Sequence, residues 1–369
     1  MMENPEHSLA FLLLPLLLLC GPTTQLVSGQ EAADAHAKEK GGKTDQHVIV
    51  AIGSPGTEEY GEQFLEWAEL WRSNTTHTHF TMIGTDSAGE KESDDKRALK
   101  EAIAKLATQP ASSEYWLVLV GHGTFDGKRA KFNLRGKDVS ATEIAEWLAP
   151  LKQRGVVINC TSSSAPFINA LSHRNRVVVS STRSGFEYNF SRFGRFMATA
   201  VSDLANDLDK DGQTSVLESF CAASRSVQDL YLADNRLATE HALIDDNGDK
   251  RGTPADWFEG TRTVKQAKDG LADGLAANQL CLVRQGADAK FTPEQRAMRF
   301  DLETKLEMIR QRKPKMEEAK YLASIEPILI ELAQLYENAD LDVVENTDAN
   351  STSAIQPTPN TVEEPSAGK

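Results

Sequence analysis

Between His47 and Ser180, short β-branched runs alternate with segments whose apolar residues recur every three or four positions, and this alternation narrows the fold most. HVIVAIG from His47, HFTMIG from His79, EYWLVLV from Glu114, GVVIN from Gly155 and RVVVS from Arg176 have the length and content of buried strands. Tyr60 to Arg72 carries Phe64, Leu65, Ala68 and Trp71 at helical spacing, and Asp95 to Thr108 and Thr142 to Leu151 read as further helices. Strands interleaved with helices predict an α/β fold with a mainly parallel sheet covered on both faces. In such sheets ligands sit beyond the carboxyl ends of the strands, so the residues that follow each run are where chemistry is sought.

The formal net charge of -14 argues against nucleic acid or an anionic membrane surface as partner, since both attract basic patches. LAFLLLPLLLL, Leu9 to Leu19, is too short for the roughly 20 residues of a spanning helix and reads as the core of a signal peptide. Residues 1–29 are therefore expected to be removed on export to a periplasm or outside the cell, although no basic residue precedes the run. Leu19 is too bulky for Cys20 to be a lipid attachment site, and the mature chain has no expected membrane span. Cys160, Cys221 and Cys281 remain, an odd number that leaves at least one thiol unpaired. Residues 30–45 read as a flexible lead-in, 46–286 as the main domain, 290–339 as a helical hairpin broken near Pro314, and 340–369 as a disordered tail. An exposed hairpin with apolar stripes suggests a helix-mediated partner or self-association.

Two of the strands end in chemistry. Val120-Gly121-His122-Gly123 closes one and Ile158-Asn159-Cys160 another, so neighbouring parallel strands would bring a thiol nucleophile beside a histidine base. Gly123 lets the backbone come close to a substrate, and its N–H with that of Cys160 would stabilise an oxyanion. The reading YWLVLVGHG followed by GVVINCTSSSAPF resembles the caspase, legumain and gingipain superfamily of cysteine peptidases, nearest the legumain-like branch. The resemblance implies a caspase-like three-layer sandwich over roughly Gln46 to Gly286. It also implies Cys160 as nucleophile, His122 as base and a polypeptide substrate cleaved through a thioacyl-enzyme without a cofactor. Asn159 stands where better-known members carry alanine. A pocket for a charged or polar substrate side chain is expected after the fifth strand, where Arg183 would favour an acidic or amide group and Glu187 a basic one. Two alternatives use the same residues: a transpeptidase, or an inactive relative kept as a calcium-binding interaction module.

A second motif lies at Asp207 to Glu218, DLDKDGQTSVLE. Asp207, Asp209 and Asp211 occupy positions 1, 3 and 5 of an EF-hand-like loop, with Gly212 at 6, Gln213 at 7, Ser215 at 9 and Glu218 at 12, the spacing of an oxygen-rich calcium shell. Calcium is the expected ion, structural or regulatory. Asp245 to Asp249 (DDNGD) has related spacing without a closing glutamate and reads as a surface turn.

Overall fold

The computed structural model describes residues 45–75, 78–85, 93–265, 272–286 and 288–351, with side chains as far as Ala339. The expected signal segment, the lead-in before Asp45 and the tail beyond Ser351 lie outside the described residues. The apolar runs form the strands β1 (Gln46–Ile52), β2 (His79–Ile83), β3 (Glu114–Val120), β7 (Arg154–Asn159) and β8 (Arg176–Ser180). Between β3 and β7 lies a small antiparallel sheet of β4 (Gly123–Phe125), β5 (Ala130–Phe132) and β6 (Val139–Ser140). With β9 (Leu243–Asp245) and β10 (Thr253–Pro254) the main sheet has the order β10-β9-β8-β7-β3-β1-β2. The pairs β2–β1, β1–β3, β3–β7 and β7–β8 are parallel, and only the β9 and β10 edge is antiparallel.

Period-two alternation sends each strand into two cores. On one face Val118, Val120, Val156 and Ile158 pack against α1 (Glu58–Ser73), α5 (Phe193–Ala200) and α6 (Val216–Ala233), which contribute Phe64, Trp71, Phe193 and Phe220. On the other, Leu117, Leu119, Val157 and Val178 meet α2 (Asp95–Leu106), α3 (Ala141–Leu148) and α4 (Ala165–Leu171) through Leu99, Ile103, Ile144, Leu148 and Phe167. The architecture is thus a three-layer α/β sandwich with a mainly parallel sheet. Each large side chain buried in this way contributes roughly 1.5–3 kcal/mol. Local signals fix the helix starts: Thr57 accepts from the Tyr60 N–H at the head of α1, and Ser140 with Glu143 forms a capping box on α3.

A C-terminal hairpin follows the sandwich, made of α8 (Pro293–Arg312) and α9 (Glu318–Ser351), with a 3-10 turn at Lys313–Lys315 around Pro314. It docks at the amino ends of the strands. Arg284 reaches Asp45 at 2.6 Å and Glu114 at 2.8 Å, beside the starts of β1 and β3, while Arg299 of α8 holds Asp288 at 2.9 Å.

Two expectations are corrected. The helix of the second hairpin arm continues to Ser351 rather than giving way to a disordered tail at Asp340, since extending a formed helix is far easier than starting one. The DDNGD stretch is not a surface turn: Asp245 and Asp246 are buried, and the Asp246 carboxylate accepts the Gly274 N–H at 3.0 Å and the Ala277 N–H at 2.8 Å, where the short helix α7 (Leu275–Asn278) begins. An acidic group at a helix start is stabilised even in the interior when it satisfies the free N–H groups there.

Candidate functional site

Because β3 and β7 are parallel neighbours with Leu119 opposite Asn159, the segments that follow them emerge side by side at the carboxyl edge of the sheet. His122 comes first. Its Nε2 lies 3.3 Å from the Pro55 carbonyl oxygen, and its ring is packed edge-on against Tyr60 and Phe64 with centroids 4.9 and 5.1 Å away. Burial among these rings holds the imidazole below its ordinary 6.5, outweighing the upward pull of the Pro55 bond. A carbonyl can only accept, so the neutral ring carries its proton on Nε2 and keeps a basic lone pair on Nδ1.

Gly123 joins this histidine to the turn after β7. A Cβ at Gly123 would stand 2.3 Å from the Ser162 carbonyl oxygen and 2.4 Å from Thr161 Oγ1, so only glycine lets the two segments meet. The Gly123 amide nitrogen lies 3.4 Å from Ser162 Oγ, and that hydroxyl donates to the Gly123 carbonyl at 3.2 Å. The turn is shaped by its own side chains. Asn159 Oδ1 accepts from Thr161 N at 3.1 Å and Thr161 Oγ1 at 2.8 Å, and Ser163 adopts the left-handed conformation, φ 55°. Ser164 Oγ is within 3.1 Å of both Ser181 Oγ and Thr182 Oγ1, tying the turn to the end of β8. A non-glycine residue with positive φ stores strain that the surrounding bonds must hold, and such strain gathers at functional sites.

Cys160 departs from the expectation of a thiol paired with His122. It continues the alternation of Val156 and Ile158 and so enters the core, 1% exposed. A Cβ on Gly194 would sit 2.8 Å from the Cys160 Cβ and about as near the Trp67 ring, which shows how closely α5 and α1 cover it. Burial, then the charge of Glu240, pushes the thiol well above its usual range, away from the reactive thiolate. Nor does the Cys160 N–H serve an oxyanion: it donates to the Leu119 carbonyl at 2.9 Å and extends the sheet. Gly123 keeps its place beside the histidine. Sequence reasoning did not single out Ser162, one of four consecutive hydroxyl residues, Thr161 to Ser164, whose side chain meets the Gly123 backbone. The signal that points away from Cys160, the period-two register of Val156, Ile158 and Cys160, was present in the sequence. All three thiols of the described chain are free.

Arg183 and Glu187 both follow β8. Glu187 is engaged by His241 Nδ1 at 2.7 Å, by Arg183 Nε at 3.3 Å and by the Arg183 N–H at 3.0 Å. Arg183 lines a cleft of about 500 Å³ that also includes Phe125 from β4, Lys128, Arg129 and Pro166 from α4; Glu187 does not line it.

In the acidic loop, Asp207, Asp209 and Asp211 each bring a carboxylate oxygen to within 4.8 Å of the others. Gly212 takes φ +90° and its N–H donates to Asp207 Oδ2 at 3.1 Å, while Asp207 Oδ1 is buried and has no partner among the described residues. Burial raises the Asp211 carboxyl, and neighbouring Asp209 adds to it, against hydrogen bonds from Gln213 that pull it down. The Gln213 amide donates to Asp211 Oδ2 at 3.2 Å. Ser215 and Glu218, expected as ligands, are used otherwise: they form a capping box on α6, and Glu218 Oε1 accepts the Leu208 N–H at 2.7 Å. The free N–H groups at the start of α6 and in the loop take both carboxylate oxygens. Before the loop α5 ends at Ala200, and a 3-10 turn at Leu204–Asn206 leads into it.

No protein-family model matches the sequence, and no curated protein matches it. Among solved structures the chain is similar to protein GSU0716 from Geobacter sulfurreducens, over 49% of this chain and 88% of that one, at 12% identity and a TM-score of 0.31. A likeness of that size carries no argument about fold or function.

Proposed function

We propose that this chain is a peptidase-type hydrolase that transfers an acyl group with His122 as general base, of the caspase, legumain and gingipain kind its sequence resembles. The supporting observation is the His122 ring: its Nε2–H faces the Pro55 carbonyl, burial keeps it neutral at pH 7, and Nδ1 is left as a base directly before the Gly123 amide. A base and a backbone N–H donor side by side at the carboxyl edge of a parallel sheet are the parts that acyl transfer requires. The reaction itself needs no cofactor. The burial of Cys160 weakens the form of this reading in which a thiol attacks.

The substrate is a polypeptide segment laid along the cleft between the β4–β5 hairpin and α4. Arg183 on its wall favours an acidic or amide side chain, while Glu187, held by His241, is not offered to a basic one. Calcium belongs in this reading as a structural ion at Asp207, Asp209 and Asp211, hard oxygen donors with one buried carboxylate oxygen unsatisfied, where it would tie the end of α5 to the start of α6. Export through the Leu9–Leu19 segment is part of the same proposal. A transpeptidase would use the same base with an amine in place of water. The second reading, an inactive calcium-binding module, is favoured by one observation, the burial of Cys160.

A mixed peptide library incubated with the full protein and with His122→Ala tests the proposal. Cleavage by the first, lost in the second and enriched at acidic or amide residues, is the expected result. A library left intact by the native protein, with and without calcium, makes the binding module the better account.

A further inference from the structure

We infer that the outward face of α9 is the seam of a dimer, in which a second copy of this chain lays its own α9 along it in the reverse direction; nothing in this depends on the reaction. The helix carries two apolar faces. On one, Tyr321, Leu335 and Ala339 are buried toward α8, and Tyr336 packs edge-on against Phe291 with ring centroids 5.0 Å apart. The other face stays open: Leu322, Leu329 and Ile330 are 52%, 44% and 51% exposed, and with Ala319, Ala323 and Ala333 they line a shallow trough of about 690 Å³. Exposed apolar side chains scattered singly need no explanation, but these are not scattered. Positions 319, 322, 326, 329 and 333 step by three and four along one line of the helix, the a and d spacing of a coiled-coil seam, with alanines where a facing helix comes close. A stripe of this kind, on a helix whose other face is already covered by its own molecule, calls for a second helix.

Charge identifies the occupant. The turn of the hairpin and the start of α9 carry Arg312, Lys313, Lys315 and Lys320 against Glu317 and Glu318. From Tyr321 to Ser351 the helix has no Lys or Arg, and Glu326, Glu331 and Glu337 are exposed on it. The arm is therefore positive where it begins and negative over the rest. A parallel copy would set like ends together. A reversed copy sets Lys315 and Lys320 of each chain beside the acidic half of the other, and the two-fold axis makes that match twice while the apolar stripe serves as its own complement. Copies of a chain with formal net charge -14 repel one another overall, so the seam and this local match are what hold the pair. Glu326 is the one charged residue in the trough, a polar group at a core position, which fixes register at a cost in stability.

The test is sedimentation equilibrium of the full chain across the micromolar range, with unfolding curves as the control for folding. The unaltered protein is expected to be a dimer. Leu329→Glu with Ile330→Glu, at two positions that a single chain leaves half-exposed, should raise the dissociation constant by at least about 100-fold and leave a folded monomer. Lys315→Glu with Lys320→Glu should weaken the pair by about 5-fold, and adding Glu331→Lys with Glu337→Lys to the same chain should restore it, because the reversed match is rebuilt with its signs exchanged. Ala319→Cys and Ala333→Cys proteins, mixed and oxidised, should form the 319–333 disulfide in preference to 319–319, read by peptide mass mapping. A monomer at every concentration overturns the inference and gives the face to another occupant: the chain's own residues 1–44 if their removal speeds hydrogen exchange over Ala319 to Ala333, a different protein if it does not. A dimer untouched by the two glutamates also overturns it, since the contact then lies elsewhere, and a 319–319 disulfide overturns the reversed direction.

Discussion

His122 is the residue whose chemistry is most tightly set by its surroundings. Its pKa lies below 6.5 because charging the ring would strip water from a cation amid Tyr60, Phe64 and Phe190. The base form is the neutral one, so lowering the pKa extends the active range toward acid. The rate of peptide hydrolysis should therefore fall only as pH drops below 6.5, with the midpoint of its acidic limb under that value; a midpoint at or above 6.5 in kcat/KM would contradict the assignment of His122 as the buried base. The place of His122 and Gly123 at the carboxyl edge was legible in the sequence, since both directly follow an apolar strand. The contact of Ser162 with Gly123 was not, because it exists only once β3 and β7 pair. Cys160 was read from its place at the end of the neighbouring strand, and its register with Val156 and Ile158 carries its side chain into the core.

At the scale of elements, the strands and the sandwich-covering helices were readable because buried runs and helical periods are short-range signals. The acidic loop shows where such reading stops: Asp207, Asp209 and Asp211 do converge, but Ser215 and Glu218 belong to the start of α6. Position in a motif tells which residues are near, and hydrogen-bond demand at a helix terminus decides which are spent. Calcium at about 100 times its Kd should stabilise the fold by about 2.7 kcal/mol, seen as a rise in Tm of a few degrees that Asp207→Asn with Asp211→Asn abolishes. An equal rise in that double variant, or none in the unaltered protein, would remove the ion from the account. The buried Asp246 was missed for a related reason: local polarity reads as surface, while its burial depends on α7 arriving from later in the chain.

Over the whole molecule, the candidate site and the C-terminal hairpin lie at opposite ends of the sheet. Arg284 is the hub of the far end, 6% exposed at its side chain and paired with Asp45, Glu114 and Asp288. Removing one partner of such a network leaves buried charge without compensation, so Arg284→Ala should cost about 3–5 kcal/mol in denaturant unfolding while the rate of the remaining folded protein changes little. A large loss of kcat in folded Arg284→Ala would show instead that the hairpin end and the site are coupled. The hairpin was legible as two helices, but its seat was not, because it depends on ion pairs between residues far apart in the chain, such as Arg296 of α8 with Asp45. The central claim, that this chain passes an acyl group through a site governed by His122, is met most directly by the intact mass of the protein after a brief quenched reaction with an activated acetyl ester. One acetyl group added to the unaltered protein and absent from His122→Ala is the predicted result. No addition, or equal addition to both, would contradict it.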